Sequence, residues 1–333
     1  NPAITGITND SRKVCDGFLF AALPGVNSHG INFVSSAIQA GASAILTDKI
    51  GYSKYLSNSN TSNVVFVVVE NPRETLARCA ALWFEQQPAQ IVAVTGTNGK
   101  TSVASFCQQI WSNLDIEAVS IGTNGVRGAW TQSLRHTTPD ALEMHQLLFN
   151  LKANGIDHVA LEASSHGLDQ SRLDGVQFSG ACFTNFSQDH LDYHKSKDDY
   201  FEAKALLFRQ LLTSDKTAVF NVNNNRIKFL AEELKSQGNL VVTLGKSKGS
   251  NIELKRQTFD SSGQEVFFKY DGILYQKRLN LIGGFQAENV LMAAALVIFL
   301  GSEPQDVFNV LHKLITVRGR MELSASRANG ANV

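Results

Sequence analysis

The chain of 333 residues reads as an α/β protein in two parts. A small N-terminal α/β domain covers 1–88, and a central P-loop domain, with a mainly parallel sheet and a smaller antiparallel sheet, covers 89–318. Three observations predict this. From Ile91 onward, short apolar runs alternate with helical patterns, as parallel strands covered on both faces do. VTGTNGKTS at 94–102 joins one such strand to a helix through a glycine-rich turn. Farther on, NIELKRQTF and QEVFFKYDG alternate apolar and polar residues in the antiparallel manner.

In the N-terminal part, GFLFAALPG (17–25) and VVFVVVEN (64–71) are short apolar strands. INFVSSAIQAGASAILTD (31–48) gives a helix, a glycine stop and a buried strand. RETLARCAALWFEQQP (73–88) has apolar residues at helical spacing and stops at Pro88, the expected boundary. The central pattern runs IVAVT, a helix from Lys100, AVSIGT (118–123), a helix after Pro139, then HVALEAS (158–164). SGACFTN (179–185), TAVFNV (217–222) and LVVTLG (240–245) continue the strands, and helices follow at 285–301 and 304–315. The sequence has no internal repeat and no low-complexity tract.

Thirty basic residues balance thirty acidic ones, so no basic field for nucleic acid is expected. No apolar run reaches the roughly 18 residues of a membrane span, so no membrane partner is expected either. Cys15, Cys79, Cys107 and Cys182 lie far apart without CxxC spacing. They read as buried free thiols of a reducing compartment. With no signal-like N-terminus, this gives a cytoplasmic expectation.

The candidate chemistry gathers where strands end. Gly96 and Gly99 let the backbone curl so that N–H groups face one anion, and the following helix start adds positive potential. Lys100 can reach outer phosphates and the Thr101 hydroxyl can ligate Mg²⁺. Val94 stands where the usual pattern has a further Gly, so the loop is a compact GxxGK[ST] form. The plain alternative is a structural glycine turn. Glu162 closes the strand HVALEAS and is either an ordinary strand exit or a hard-oxygen Mg²⁺ ligand. Asp189, His190, Asp192 and His194 crowd into the next strand exit, where His190 would face the same crevice. Lys204 lies among apolar helix residues. It is either a solvated lysine or a desolvated amine able to take up CO₂ as a carbamate.

Together TGTNGKTS, EASSHGLDQSRL, TNFSQDHLDYH and YFEAKALLF, with DSRK at 10–13 and GRME at 319–322, resemble the Mur ligase family over nearly the whole chain. Within it they are most similar to the members that add the third residue of the peptidoglycan stem. The resemblance implies an ATP-dependent ligase joining meso-diaminopimelate or L-lysine to UDP-N-acetylmuramoyl-L-alanyl-D-glutamate through an acyl phosphate. It implies an ATP site at Gly96, Thr97, Asn98, Gly99, Lys100 and Thr101, with Asn289 on adenine and Arg320 near the nucleotide. Thr101, Glu162, His190 and a carbamylated Lys204 would hold Mg²⁺; Lys100, Glu162, His190 and Lys204 form the catalytic set. The sugar nucleotide would meet Asn9, Ser11, Val26, Asn27 and Ser28, and its peptide end would meet Thr137, Thr138, Ser164, Gln170 and Arg172. His136 occupies a further substrate position where the family often has Asn. Residues 319–333 would be a linker to an amino-acid-binding C-terminal domain beyond this chain. The chain alone would then bind its ligands as a monomer without turnover. A related ligase acting on another carboxylate, of the folylpolyglutamate synthase kind, is the runner-up; residues 1–87 with DSRK favour the muropeptide reading.

Overall fold

The computed structural model describes residues 2–25, 28–58, 64–317 and 319. Val26, Asn27, Arg320 and nearly all of the expected 319–333 linker lie outside the described residues.

The chain forms two compact units. The first comprises residues 1–85 together with 140–146 and 170–175. Its elements are β1 (Gly6–Thr8), β2 (Phe18–Ala21), α1 (Val34–Gln39), β3 (Ala44–Thr47), α2 (Lys49–Asn58), β4 (Val65–Val68) and α3 (Pro72–Phe84). The strands make a parallel sheet in the order β1-β2-β3-β4. Central β3 is buried along its length, which its unbroken run AILT requires; edge strand β4 exposes Val65, Val67 and Val68. Asn71 caps α3 by accepting the Glu74 N–H, and Pro72 occupies the first helical position, where no N–H is needed. The helix ends at Phe84, short of Pro88, because Glu85 turns into the left-handed region at φ 58°.

The second unit holds the rest. In chain order its elements are β5 (Gln90–Thr95), α4 (Lys100–Asn113), β6 (Ala118–Gly122), β7 (Gly125–Gly128), α5 (Ala141–Ala153, whose first turns belong to the first unit), β8 (His158–Glu162), α6 (Ser165–Asp169), β9 (Gly180–Phe183), α7 (Lys197–Leu206) and β10 (Thr217–Asn221). There follow α8 (Asn225–Ser236), β11 (Leu240–Gly245), β12 (Ile252–Asp260), β13 (Gly263–Tyr270), β14 (Ile273–Leu279), α9 (Phe285–Phe299) and α10 (Pro304–Val310).

Ten strands form one sheet in the order β14-β13-β12-β11-β10-β9-β5-β8-β6-β7. The parallel stretch from β11 to β6 carries the apolar runs that the sequence marks as buried strands. The antiparallel strands, expected as a smaller sheet, extend this same sheet: β12 joins β11 through the pairs Leu244–Ile252 and Gly245–Glu253. α4 and α9 pack on the sheet, and Val103, Cys107, Ile110 and Trp111 recur at helical spacing on the buried side of α4. Fully burying each such side chain contributes about 1.5–3 kcal/mol. α9 is apolar on nearly every side and correspondingly buried. No helix among the described residues is long and apolar enough to cross a membrane.

The cysteines depart from expectation. All four cysteines are free, but only Cys107 and Cys182 are buried; Cys15 is exposed and Cys79 half-buried. The reason is positional. Cys15 sits in the turn between β1 and β2, whereas Cys107 and Cys182 lie on α4 and β9 in the core.

In the first unit, His145 is buried, its Nε2–H donating to the Asp174 carbonyl at 2.9 Å, while its Nδ1 has no hydrogen-bond partner. Burial therefore holds its pKa below the ordinary 6.5. The unfolded chain takes up this proton first, so stability present above about pH 6.5 is lost progressively as pH falls from there. Denaturant unfolding at pH 7.5 and 5.5 should show wild type losing about 1 kcal/mol more than His145→Gln. An equal pH response in the two proteins would contradict this assignment.

Candidate active site

β5 is flanked by β8 on one side and β9 on the other, and the chain leaves β5 and β9 toward opposite halves of the sheet. Such a switch point opens a crevice at the carboxyl ends of the strands. The glycine loop lies there. Gly96 has φ 143° and Gly99 φ 84°, conformations that side chains strain against. A Cβ on Gly96 would stand 2.0 Å from Thr184 Oγ1, and one on Gly99 would stand 2.5 Å from Asn289 Oδ1. Both positions therefore need glycine for space as well as for backbone conformation. α4 then starts at Lys100, and its first N–H groups have no intrahelical acceptor. Lys100 Nζ folds back to donate to the carbonyls of Gly96 and Thr97, each at 2.9 Å.

The loop is held from the exit of β9. Thr97 N–H donates to the Asn185 carbonyl at 2.9 Å, and Asn98 N–H donates to Asn185 Oδ1 at 2.9 Å. Asn185 Nδ2 and Thr184 Oγ1 both donate to the Asn98 carbonyl, at 2.9 and 2.5 Å. Thr97 Oγ1 donates to the Ser187 carbonyl at 3.1 Å and accepts from the Ser187 N–H at 3.0 Å.

Glu162 ends β8 one strand away and is 2% exposed. Its carboxylate accepts from Thr101 Oγ1 at 3.0 Å and from the Thr123 N–H at 2.8 Å. Burial raises its pKa, while the Thr123 N–H, the Lys100 charge and the Thr101 and Thr123 hydroxyls pull it back down. Gly122 makes room for it: a Cβ there would lie 1.9 Å from Glu162 Oε1. Thr101 donates its single proton to Glu162, which leaves the hydroxyl lone pairs free to face a cation.

Lys204, on α7, is 1% exposed. Its Nζ donates to the Gly96 carbonyl at 2.9 Å and lies 4.5 Å from the centre of the Tyr200 ring. Burial, and then the nearby Lys100 charge, push its pKa well below the ordinary lysine value. Tyr200 is itself buried, with its hydroxyl 3.4 Å from Thr97 Oγ1. His190 meets the Tyr200 ring edge-on at 5.8 Å between ring centres, held at φ 52° with its N–H on Asp189 Oδ1. Its ring meets His166 at 5.1 Å, and His166 in turn packs on Tyr193.

The structure thus brings Gly96, Thr97, Asn98, Gly99, Lys100, Thr101, Glu162 and Lys204 into direct contact or one bond of it. His190 joins through Tyr200, and no group of three or more His, Cys, Asp or Glu side chains suited to a metal occurs among the described residues. Asn289 is buried against Gly99 and donates to Gln286 Oε1 at 3.2 Å. In this unit Thr137 Oγ1 lies 3.1 Å from Thr123 Oγ1. Thr138 donates to the Glu162 carbonyl at 2.8 Å and lies 3.0 Å from Ser164 Oγ, while His136 is exposed. Gln170 and Arg172 belong to the first unit, with Arg172 Nη2 donating to Gln170 Oε1 at 2.8 Å. Asn9 and Ser28 of that unit are exposed, and Ser11 opens a short 3₁₀ turn capped by Asp10.

Sequence reading missed Thr184, Asn185, Ser187, Gly122, Thr123 and Tyr200. The available signal was a polar TN or GT pair closing an apolar strand, at 184–185 and 122–123.

A model described as "Mur ligase middle domain" matches residues 94–297, and one described as "Mur ligase family, catalytic domain" matches residues 3–84. A UDP-N-acetylmuramoyl-L-alanyl-D-glutamate–2,6-diaminopimelate ligase of Caulobacter vibrioides is 42% identical, covering 97% of this chain and 66% of the relative. The same-named protein of Bradyrhizobium diazoefficiens is 40% identical over 99% of this chain and 67% of its own length. A solved structure of a ligase with this name superposes with a TM-score of 0.84 at 27% identity, covering 97% of this chain and 65% of that one. The chain therefore spans about two thirds of the length of the relatives it matches. By the middle-domain match and by identity along nearly its whole length, the chain belongs to the Mur ligase family.

Proposed function

We propose that the protein is an ATP-dependent amide ligase that joins 2,6-diaminopimelate to UDP-N-acetylmuramoyl-L-alanyl-D-glutamate in peptidoglycan synthesis. The observation that carries this reading is 42% identity, along 97% of the chain, to a ligase so named. The relatives' names favour diaminopimelate over L-lysine as the added amino acid. The match of residues 3–84 to the model described as "Mur ligase family, catalytic domain" favours a muropeptide over the folate-type alternative.

The site fits the chemistry. In the implied reaction, a D-glutamyl carboxylate attacks the γ-phosphate of ATP, releasing ADP, and the amino acid's amine then displaces phosphate from the acyl phosphate. Both partners of the first step are anions, so their approach requires positive potential in a dry site. The Lys100 amine and the positive end of the α4 dipole supply it from the protein. Thr101 and Glu162 present hard oxygens side by side, as Mg²⁺ prefers, and His190 and a carboxylated Lys204 complete the ligand set in this reading. Bound there, Mg²⁺ would neutralise phosphate charge. The lowered pKa of Lys204 favours its neutral amine, whose lone pair can attack CO₂ with loss of one proton to give an N-carboxylate. That product would exchange a buried cation beside Lys100 for an anion. Asn9, Ser11, Val26, Asn27 and Ser28 for the sugar nucleotide, and His136, Thr137, Thr138, Ser164, Gln170 and Arg172 for its peptide end, complete the reading. Adenine would lie at Asn289, with Arg320 by the nucleotide. The family's location is the cytoplasm, and the protein would act there as a monomer.

Calorimetric titration with UDP-N-acetylmuramoyl-L-alanyl-D-glutamate and with its L-alanyl precursor tests the substrate. Tight binding of the first and much weaker binding of the second is expected; equal binding, or none, would count against the assignment. A second expectation concerns Gly122→Ala, whose methyl group must displace the Glu162 carboxylate from Thr101 and Thr123. The Mg²⁺ concentration that half-saturates nucleotide binding should rise about tenfold, with little change in melting temperature. An unchanged Mg²⁺ requirement would remove Glu162 from the metal site.

A further inference from the structure

The compact loop is braced from outside as well as by Lys100. Its Thr97 and Asn98 N–H groups, which a longer glycine loop could aim at a phosphate, both point to Asn185. The Asn185 side chain pairs with the Asn98 peptide as one strand pairs with another: Oδ1 accepts the N–H and Nδ2 donates to the carbonyl, both at 2.9 Å. This arrangement fixes the amide's orientation, since a flipped side chain would face donor to donor and acceptor to acceptor. The helix whose N-terminal end can face an anion begins at Lys100, and its direction depends on where the clamp sets the turn at Gly99.

We propose that Asn185 is a positioning residue for phosphate recognition: it supplies, from the neighbouring strand exit, the shape that the missing upstream glycine denies to the loop. The proposal rests on the nucleotide reading of the site. Asn185 touches no reacting group and acts through residues 97–98. The clamp also ties the loop to the segment running on to His190 and Lys204, so both walls of the crevice share one anchor.

The test is calorimetric titration of ADP, with amide hydrogen exchange, on the full-length protein and three variants. Asn185→Ala removes both side-chain bonds. ADP affinity should fall about tenfold, the equivalent of one to two ordinary hydrogen bonds. Exchange at Thr97 and Asn98 should quicken without nucleotide. Asn185→Asp is isosteric, keeps the acceptor and loses the donor, and so covers the case in which the alanine variant fails to fold. It should bind ADP at least as weakly, because a carboxylate beside phosphate adds repulsion. In the ligase assay, KM for ATP should rise by more than kcat falls, which a general loss of folded protein would not produce. Lys100→Ala separates the two levels of the argument. If it weakens ADP binding while both Asn185 variants bind like wild type, the clamp is overturned. If Lys100→Ala itself leaves ADP affinity unchanged, the nucleotide reading falls and the proposal with it.

Discussion

Two lysine amines converge on one carbonyl oxygen, and the rest of the site follows from that. Lys100 Nζ and Lys204 Nζ each donate to the Gly96 carbonyl at 2.9 Å, so the nitrogens lie within twice that distance of each other. Two full positive charges so placed would repel by about 3 kcal/mol even at an effective dielectric near 20. Lys204 also carries the desolvation of a fully buried side chain, and burial with the Lys100 charge holds its pKa well below the ordinary lysine value. Lys100 lies at the mouth of the loop and is half-buried.

The fold delivers this arrangement through close approach. Gly96 brings the loop against Thr184, Gly99 brings it against Asn289, and Gly122 lets Glu162 lie across the end of β6. Each contact crosses between neighbouring strands or helices around β5, where the order of the sheet reverses. The same crevice thus gathers an acid from β8, a clamp from β9 and an amine from α7.

Much of this was legible in the sequence because it is local. Buried parallel strands show as unbroken apolar runs, so β5, β8, β9 and β10 are plain, and the glycine loop announces itself by spacing. Lys204 stands out only as a charge among apolar residues; its burial and its Gly96 partner are tertiary facts. The Asn185 clamp spans 87 residues, and nothing near either end records the pairing. Strand β7 escapes notice because its glycines weaken the β pattern, and β14 because ILYQKRL opens on the exposed pair Ile273 and Leu274 and fully buries only Leu279. The joining of the antiparallel strands to the main sheet depends on two residue pairs, too few to mark a sequence. Cys15 and Cys107 look alike in sequence, yet one lies in a surface turn and the other under α9.

The central claim is that Lys204 is placed to exchange its positive charge for a negative one. Carbon-13 NMR of the protein equilibrated with labelled bicarbonate tests it directly, with Lys204→Arg as reference, since a guanidinium stays charged. A carbamate resonance present in wild type and absent from the variant is the result this account predicts. A folded protein that binds ADP and shows no such resonance would contradict it.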